Sequence, residues 1–496
     1  MAFNDLREWI ERLEVEGEFK RIEAEVDWEL EIGAITRKVL GQEGPALLFE
    51  NIKDHNNTKC TRLFTNGLGS RRRLALALGL PKDTPYREIV RVMKERFSKP
   101  ISNVIVKSGP VKEKIVKGDE VDLYQFPTPK WHHLDGGRYF NTFCGVVTMD
   151  RDTGEHNIGL YRGMLGSKST IPVLLAASQH WGIHFAKYRE RGEDMPVAVV
   201  YGGDPTLFIN ASTPHQHKGY SEYEITGALR QEPVELVRCE TSNLLIPAKA
   251  EMVIEGYISA DPNTYEMEGP FGEYPGYYGG MRSPKPRIKV ECITHRDDPI
   301  FMGSLEGTSP HRWAESAHYA AAGFCAVAWN FLNLVGVPGV LGVWANPVTC
   351  STNMRVQIHK MYRGHAKQVA NALWSSSLCN YAAKHLIVVD EDIDIFDEEA
   401  LEWAMAYRVN AGMGDVILFP GTIGSMLDPS VPLEQRNIFK YGQGKWTRML
   451  IDATKNWELE RQEQYGGDIY PPLATDITPE TEELITRRWK EYGLDS

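Results

Sequence analysis

Apolar side chains near the start of the chain recur with helical spacing. Leu6, Trp9, Ile10 and Leu13 fall at i, i+3, i+4 and i+7, which predicts a helix with one buried stripe. Asn4 or Asp5 can cap it, and Gly17 marks its end. A second helical pattern covers Leu30 to Val39 and a third Pro81 to Phe97, while Pro45 to Phe49 reads as a strand. Residues 1–115 therefore form a mixed α/β region.

The pattern changes after residue 116. Short β-rich runs, Cys144 to Met149, Val197 to Tyr201, Met252 to Ile258 and Arg287 to Ile293, are separated by Gly, Pro and Asp. That rhythm predicts a barrel or sandwich over 116–310. From 320 to 465 strands and helices alternate again. The apolar runs His385 to Val389 and Val416 to Phe419 flank a helix over Glu399 to Val409, a second α/β domain. Residues 466–496 form a linker and a charged helix, Pro479 to Tyr492, suited to packing on a neighbour. The sequence contains no internal repeat and no low-complexity tract.

Composition narrows the possible partners. At 496 residues, with 42% hydrophobic and 25% charged positions, the chain can bury more than one core. The 67 acidic against 55 basic side chains give a net charge of −12, which disfavours binding to nucleic acid or to anionic lipid. Neither a signal-peptide pattern nor a run of about 18 apolar residues is present, so a cytoplasmic protein is expected. Seven cysteines without a CxxC are read as buried thiols.

Two clusters suggest chemistry. In Glu268-Gly269-Pro270-Phe271-Gly272-Glu273 the carboxylates stand five residues apart. A helix would point them about 140° apart and a strand would put them on opposite faces, so only an irregular loop converges them. Gly269, Pro270 and Gly272 supply that irregularity. Convergent carboxylates repel, which leaves one protonated beside a base and suits proton transfer. A solvated surface turn fits the same residues locally. The second cluster comprises Asn157, His180 and Glu222, with Arg162 close to the first of them. An amide oxygen, an imidazole and a carboxylate suit Mn²⁺ or Mg²⁺, although their wide spacing does not define a site, and a structural histidine and a surface arginine remain alternatives.

Taken together, these segments resemble the UbiD family of prenylated-flavin decarboxylases. The resemblance rests on Asn157 to Arg162, Ser178-Gln179-His180, Ser221 to Arg230, Glu268 to Glu273, Lys384 to Asp394 and Ile451 to Thr454. It implies an α/β (α+β) fold: an N-terminal α/β segment, a flavin-reductase-like split β-barrel, and a C-terminal α/β oligomerisation domain with a terminal helix. It also implies that Asn157, His180 and Glu222 bind Mn²⁺ (or Mg²⁺), which holds the phosphate of prenylated FMN with K⁺ nearby. Lys384 would reach the same phosphate, or else face solvent at a strand start. Gln179 and Ser212 would line the cofactor.

Arg162, Glu268 and Glu273 would form the family's Arg-Glu-Glu network. The resemblance implies that the prenylated flavin acts as an electron sink while CO₂ departs, after which a protein acid protonates the ring carbon. Glu273 is read as that acid, Arg162 as the group orienting the substrate carboxylate, and Glu268 as tuning both. Hydroxyarylic-acid members are the nearest in look, so the expected reaction is reversible, non-oxidative decarboxylation of a small aromatic acid. The expected partners are a flavin prenyltransferase and further copies of the chain. An aromatic carboxylase running in reverse, a flavin oxidoreductase and a non-catalytic subunit of a carboxylase complex are the alternatives. Tyr274, Tyr277 and Tyr278 would suit an aromatic ring or core packing, and His311 or Arg312 could reach a phenolate or second carboxylate.

Overall fold

The computed structural model describes residues 3–215, 219–310, 312–436 and 444–494. The first predicted helix is α1, Leu6–Val15, with Asp5 rather than Asn4 as its cap: the Asp5 carboxylate accepts from the backbone N–H groups of Arg7 and Glu8. All four stripe residues are buried. Strands β1 (Phe19–Ile22), β2 (Ala46–Phe49) and β3 (Arg62–Thr65) make the N-terminal sheet, with helix α2 (Glu31–Leu40) between the first two. Helix α3 (Tyr86–Phe97) starts five residues later than expected. Pro85 stands at its cap with extended backbone, and a proline also disfavours helical geometry in the residue before it.

The middle of the chain forms a seven-stranded antiparallel sheet. Its strands are β4 (Lys114–Lys117), β5 (Gly145–Met149), β6 (His156–Gly159), β7 (Thr170–Pro172), β8 (Met195–Tyr201), β9 (Met252–Ile258) and β10 (Arg287–His295). The order is β7-β10-β9-β8-β5-β6, with β4 also pairing to β10. Among the described residues the two ends of this order do not pair, so the sheet is not a closed barrel.

Successive side chains on a strand point to opposite faces, and here both faces are covered. Val147, Val200 and Val253 enter one hydrophobic cluster with α1, α3 and the C-terminal domain. Val146, Val199 and Ile254 enter a second cluster with the N-terminal sheet. The sheet is thus the partition between two cores. A short strand at Ile300–Met302 leaves this region and adds in parallel to β3, tying the N-terminal sheet to the middle of the chain.

The C-terminal sheet contains β11 (Val340–Trp344), β12 (Asn353–Ile358), β13 (His385–Asp390), β14 (Val416–Gly424) and β15 (Gly444–Asp452), in the order β11-β12-β13-β15-β14. Central β13 is flanked by parallel partners and buries Leu386 to Asp390, which explains its continuous apolar run. Three helices matter for the site: α4 (His180–Glu190), α5 (Glu222–Arg230) and the long α6 (Glu315–Leu334). Helix α6 is rich in Ala, and a Cβ on its one glycine, Gly323, would lie 2.2 Å from Thr213 Oγ1. Small residues let this helix press against the cavity wall. All seven cysteines are free, six of them buried. Among the described residues, no helix is long and apolar enough to cross a membrane.

Candidate active site

The Glu268–Glu273 segment is built from two short hairpins. Glu266–Glu268 pairs with Ser283–Lys285, and Phe271–Gly272 pairs with Tyr278–Gly279. Between them Gly269 takes φ +91°, a region that glycine enters without steric cost. A neighbouring loop clasps the turn from outside. Gly136 N–H donates to Pro270 O at 2.8 Å, and Asp135 accepts from Gly272 N–H at 2.9 Å. Asp135 also accepts from His132 N–H at 2.9 Å.

Both carboxylates reach one guanidinium. Arg162 Nη2 donates to Glu268 Oε2 at 3.0 Å, Nε lies 3.0 Å from Glu268 Oε1, and Nη1 donates to Glu273 Oε1. Tyr139 donates its hydroxyl to Glu268 Oε1 at 2.8 Å. Glu268 is fully buried and Glu273 is 8% exposed, so the solvated-turn alternative does not describe them. The local spacing alone suggested two carboxylates facing each other bare; Arg162 sits between them.

Burial works against the charge on Arg162, yet Glu273 and then Glu268 outweigh it and hold the guanidinium pKa above its ordinary value. Burial, reinforced by the Glu268 charge, raises the Tyr139 hydroxyl. Neighbouring glycines make room for the cluster. A Cβ on Gly279 would lie 2.5 Å from Glu273 Cγ, and one on Gly280 would lie 2.9 Å from Arg162 Nη2.

The same cavity, of about 330 Å³, contains Asn157, His180 and Glu222. Asn157 projects from β6, while His180 and Glu222 are the first residues of α4 and α5. His180 Nδ1 is 3.0 Å from Asn157 Oδ1 and 3.7 Å from Glu222 Oε1. Three donors 23 and 42 residues apart in sequence therefore converge on one point. A hard divalent cation fits this oxygen-and-imidazole set, and the N-termini of two helices beside it favour an anionic group. Gln179 and Ser212 also line the cavity. Lys384 does not: its Nζ is held by Asp428 Oδ2 at 2.7 Å and Ser430 Oγ at 2.6 Å.

Of the three tyrosines, Tyr274 alone lines the cavity, its hydroxyl donating to Ser425 Oγ at 2.7 Å. Tyr277, in the hairpin turn, and Tyr278, in the strand after it, are exposed. Arg312 is exposed outside the cavity, and His311 lies outside the described residues. Tyr139, Glu306 and Ser316 are site residues that the sequence reading missed. Tyr139 holds Glu268, and the other two line the cavity. No local motif in the sequence sets any of them apart.

Removing one partner of a buried ion pair leaves an uncompensated charge. Arg162→Met should therefore lower the unfolding free energy by about 3–5 kcal/mol, read by equilibrium denaturation. A loss below about 1 kcal/mol would show that the two carboxylates do not depend on the guanidinium.

The chain matches three domains of 3-octaprenyl-4-hydroxybenzoate carboxy-lyase: the N-terminal domain over residues 10–93, the Rift-related domain over 103–309 and the C-terminal domain over 319–453. Vanillic acid decarboxylase of Sedimentibacter hydroxybenzoicus in its closed form is 30% identical over 100% of both chains, with a TM-score of 0.88. The UbiD-class enzyme HmfF from Pelotomaculum thermopropionicum, in complex with FMN, is 30% identical over 97% of this chain and 98% of its own, with a TM-score of 0.78. An evolved dimeric form of HmfF is known in complex with prFMN. The 3,4-dihydroxybenzoic acid decarboxylase AroY of Klebsiella pneumoniae is 26% identical over 97% and 99% of the two chains, with a TM-score of 0.75. Matched in all three domains, the chain belongs to the UbiD family of carboxy-lyases.

Proposed function

We propose that this protein decarboxylates a hydroxylated aromatic acid, with Arg162, Glu268 and Glu273 as its working groups. The observation that carries this reading is one cavity lined by Arg162 and Glu273, with Glu268 buried against Arg162, and by the Asn157-His180-Glu222 set. The latter set would hold Mn²⁺ or Mg²⁺ and, through it, the phosphate of prenylated FMN, with Gln179 and Ser212 against the cofactor. When bound, prenylated FMN supplies the electron sink that a ring carbon needs to release CO₂.

The protein's own residues then have distinct tasks. The Arg162 guanidinium orients the substrate carboxylate by charge-assisted hydrogen bonds. Glu268, fully buried and fixed by Tyr139, keeps that guanidinium in place. Glu273, on the cavity side, carries the proton that replaces CO₂ on the ring carbon. Burial of the cluster excludes water and strengthens each of these interactions. Carboxylation in the reverse direction would use the same groups, its direction set by CO₂ supply.

A flavin prenyltransferase would provide the cofactor, and the seven unpaired cysteines fit a reducing compartment such as the cytoplasm. The tail belongs to an oligomer on this reading. Ile485, Trp489 and Tyr492 recur at i, i+4 and i+7, a stripe that a helix normally buries. In helix α7 (Pro479–Arg488) and the turn after it, no described residue is buried, so a second copy of the chain would cover the stripe.

Glu273→Gln should keep the cofactor but abolish both CO₂ release and hydrogen exchange at the substrate carbon. Near-normal rates in that variant would overturn the assignment. By light scattering, the full-length protein should show at least two chain masses and a truncation lacking residues 471–496 a smaller assembly. A monomeric full-length protein would contradict the role given to the tail.

A further inference from the structure

The mechanism above leaves one carboxyl group of the cavity without a task. Glu306 lines the same space as Glu273 and Tyr274. Its Oε2 accepts from Ser316 Oγ at 2.5 Å and its Oε1 from Ser304 Oγ at 3.3 Å. Three buried glutamates of the fold are paired with cations, Glu251 with Arg7 and Arg296, Glu18 with Arg72 and Arg73, and Glu255 with Lys112, while Glu315 is held by the backbone N–H groups of Asn66 and Leu68. Among the described residues, no cation forms an ion pair with the Glu306 carboxylate. Burial, with the Glu273 charge adding to it, raises the Glu306 pKa.

The position of Glu306 is fixed from two sides. Arg37, from α2, donates to the carbonyls of Glu306 and Gly307, and to that of Trp313 at 2.9 Å. His132 Nε2 lies 3.1 Å from the Glu306 carbonyl, and a Cβ on Gly272 would lie 2.4 Å from His132 Nδ1. The loop that clasps the Glu268–Glu273 turn therefore also braces Glu306. This carboxyl group is set in a fixed relation to the proton donor.

A rigid carboxyl group without a cation is a good partner for a hydroxyl group and a poor neighbour for another carboxylate. Leaving its hydrogen-bonding capacity unmet in a buried cavity costs binding energy, and a second anion beside it is repelled. We propose that Glu306 reads the ring substituent of the substrate, accepting a phenolic hydroxyl and turning away a second carboxylate. This rests on the decarboxylase reading for the identity of the ligand.

The test uses binding in a holoenzyme that cannot turn over. Calorimetry on the Glu273→Gln holoenzyme compares 3- and 4-hydroxybenzoate, benzoate and terephthalate, alone and with Glu306→Leu or Glu306→Gln added. The parent should prefer one of the hydroxybenzoates to benzoate, and Glu306→Leu should reduce that preference at least about tenfold. Glu306→Gln, close in shape and still able to hydrogen-bond, should keep most of the preference while tightening terephthalate binding about tenfold. The proposal fails if the parent shows no hydroxyl preference, if the leucine variant keeps it, or if the glutamine variant leaves terephthalate unchanged. Absence of CO₂ release by the wild-type holoenzyme would instead overturn the decarboxylase reading, with the binding ratios still deciding on Glu306.

Discussion

The site depends on one buried cation. Arg162 is almost out of water, and a guanidinium in that position needs anionic partners to offset its desolvation. Glu268 and Glu273 provide them from either side of a Gly-Pro step. The dependence is mutual, because Glu268 is fully buried and has Arg162 and Tyr139 as its side-chain partners. The surrounding backbone is shaped to permit this. Gly279 and Gly280 leave space that a Cβ would take from Glu273 and Arg162, and Asp135 holds the turn at Gly272.

The fold brings that cluster to a second one. Strand β6 carries Asn157 at its start and leads directly to Arg162, so one segment serves both ends of the cavity. Helices α4 and α5 begin at His180 and Glu222, placing two ligand-capable side chains and two positive helix ends together. Helix α6, thinned by alanine and glycine, forms another wall with Ala317, Ala320 and Phe324. The division of labour we propose is spatial: anion and metal binding at the helix starts, proton transfer at the hairpin turn.

Several of these features were legible in the sequence, and the reasons differ. The Leu6-Trp9-Ile10-Leu13 stripe and the Leu386 to Val389 run are local patterns, and each fixes its own element. The Glu268 and Glu273 pair stood out through its glycines and proline, but only Arg162, more than a hundred residues earlier, distinguishes it from a solvated turn. Long-range pairings outside the segments that carry the family resemblance were not legible. Nothing in Ile300–Met302 says that it joins β3, and nothing local in Tyr139 or Glu306 indicates its place in the cavity. Tyr274 separates from Tyr277 and Tyr278 only through the hairpin geometry. Lys384 likewise pairs with Asp428, a residue 44 positions away, so its strand position alone could not give its partner.

On the proposed function, the cavity between the two clusters holds a single prenylated FMN. The most direct test is the mass and absorbance spectrum of the cofactor released from protein produced together with a flavin prenyltransferase. The account predicts prenylated FMN in a ratio approaching one per chain. Protein that emerges without flavin, although folded and supplied with the cofactor, would contradict it.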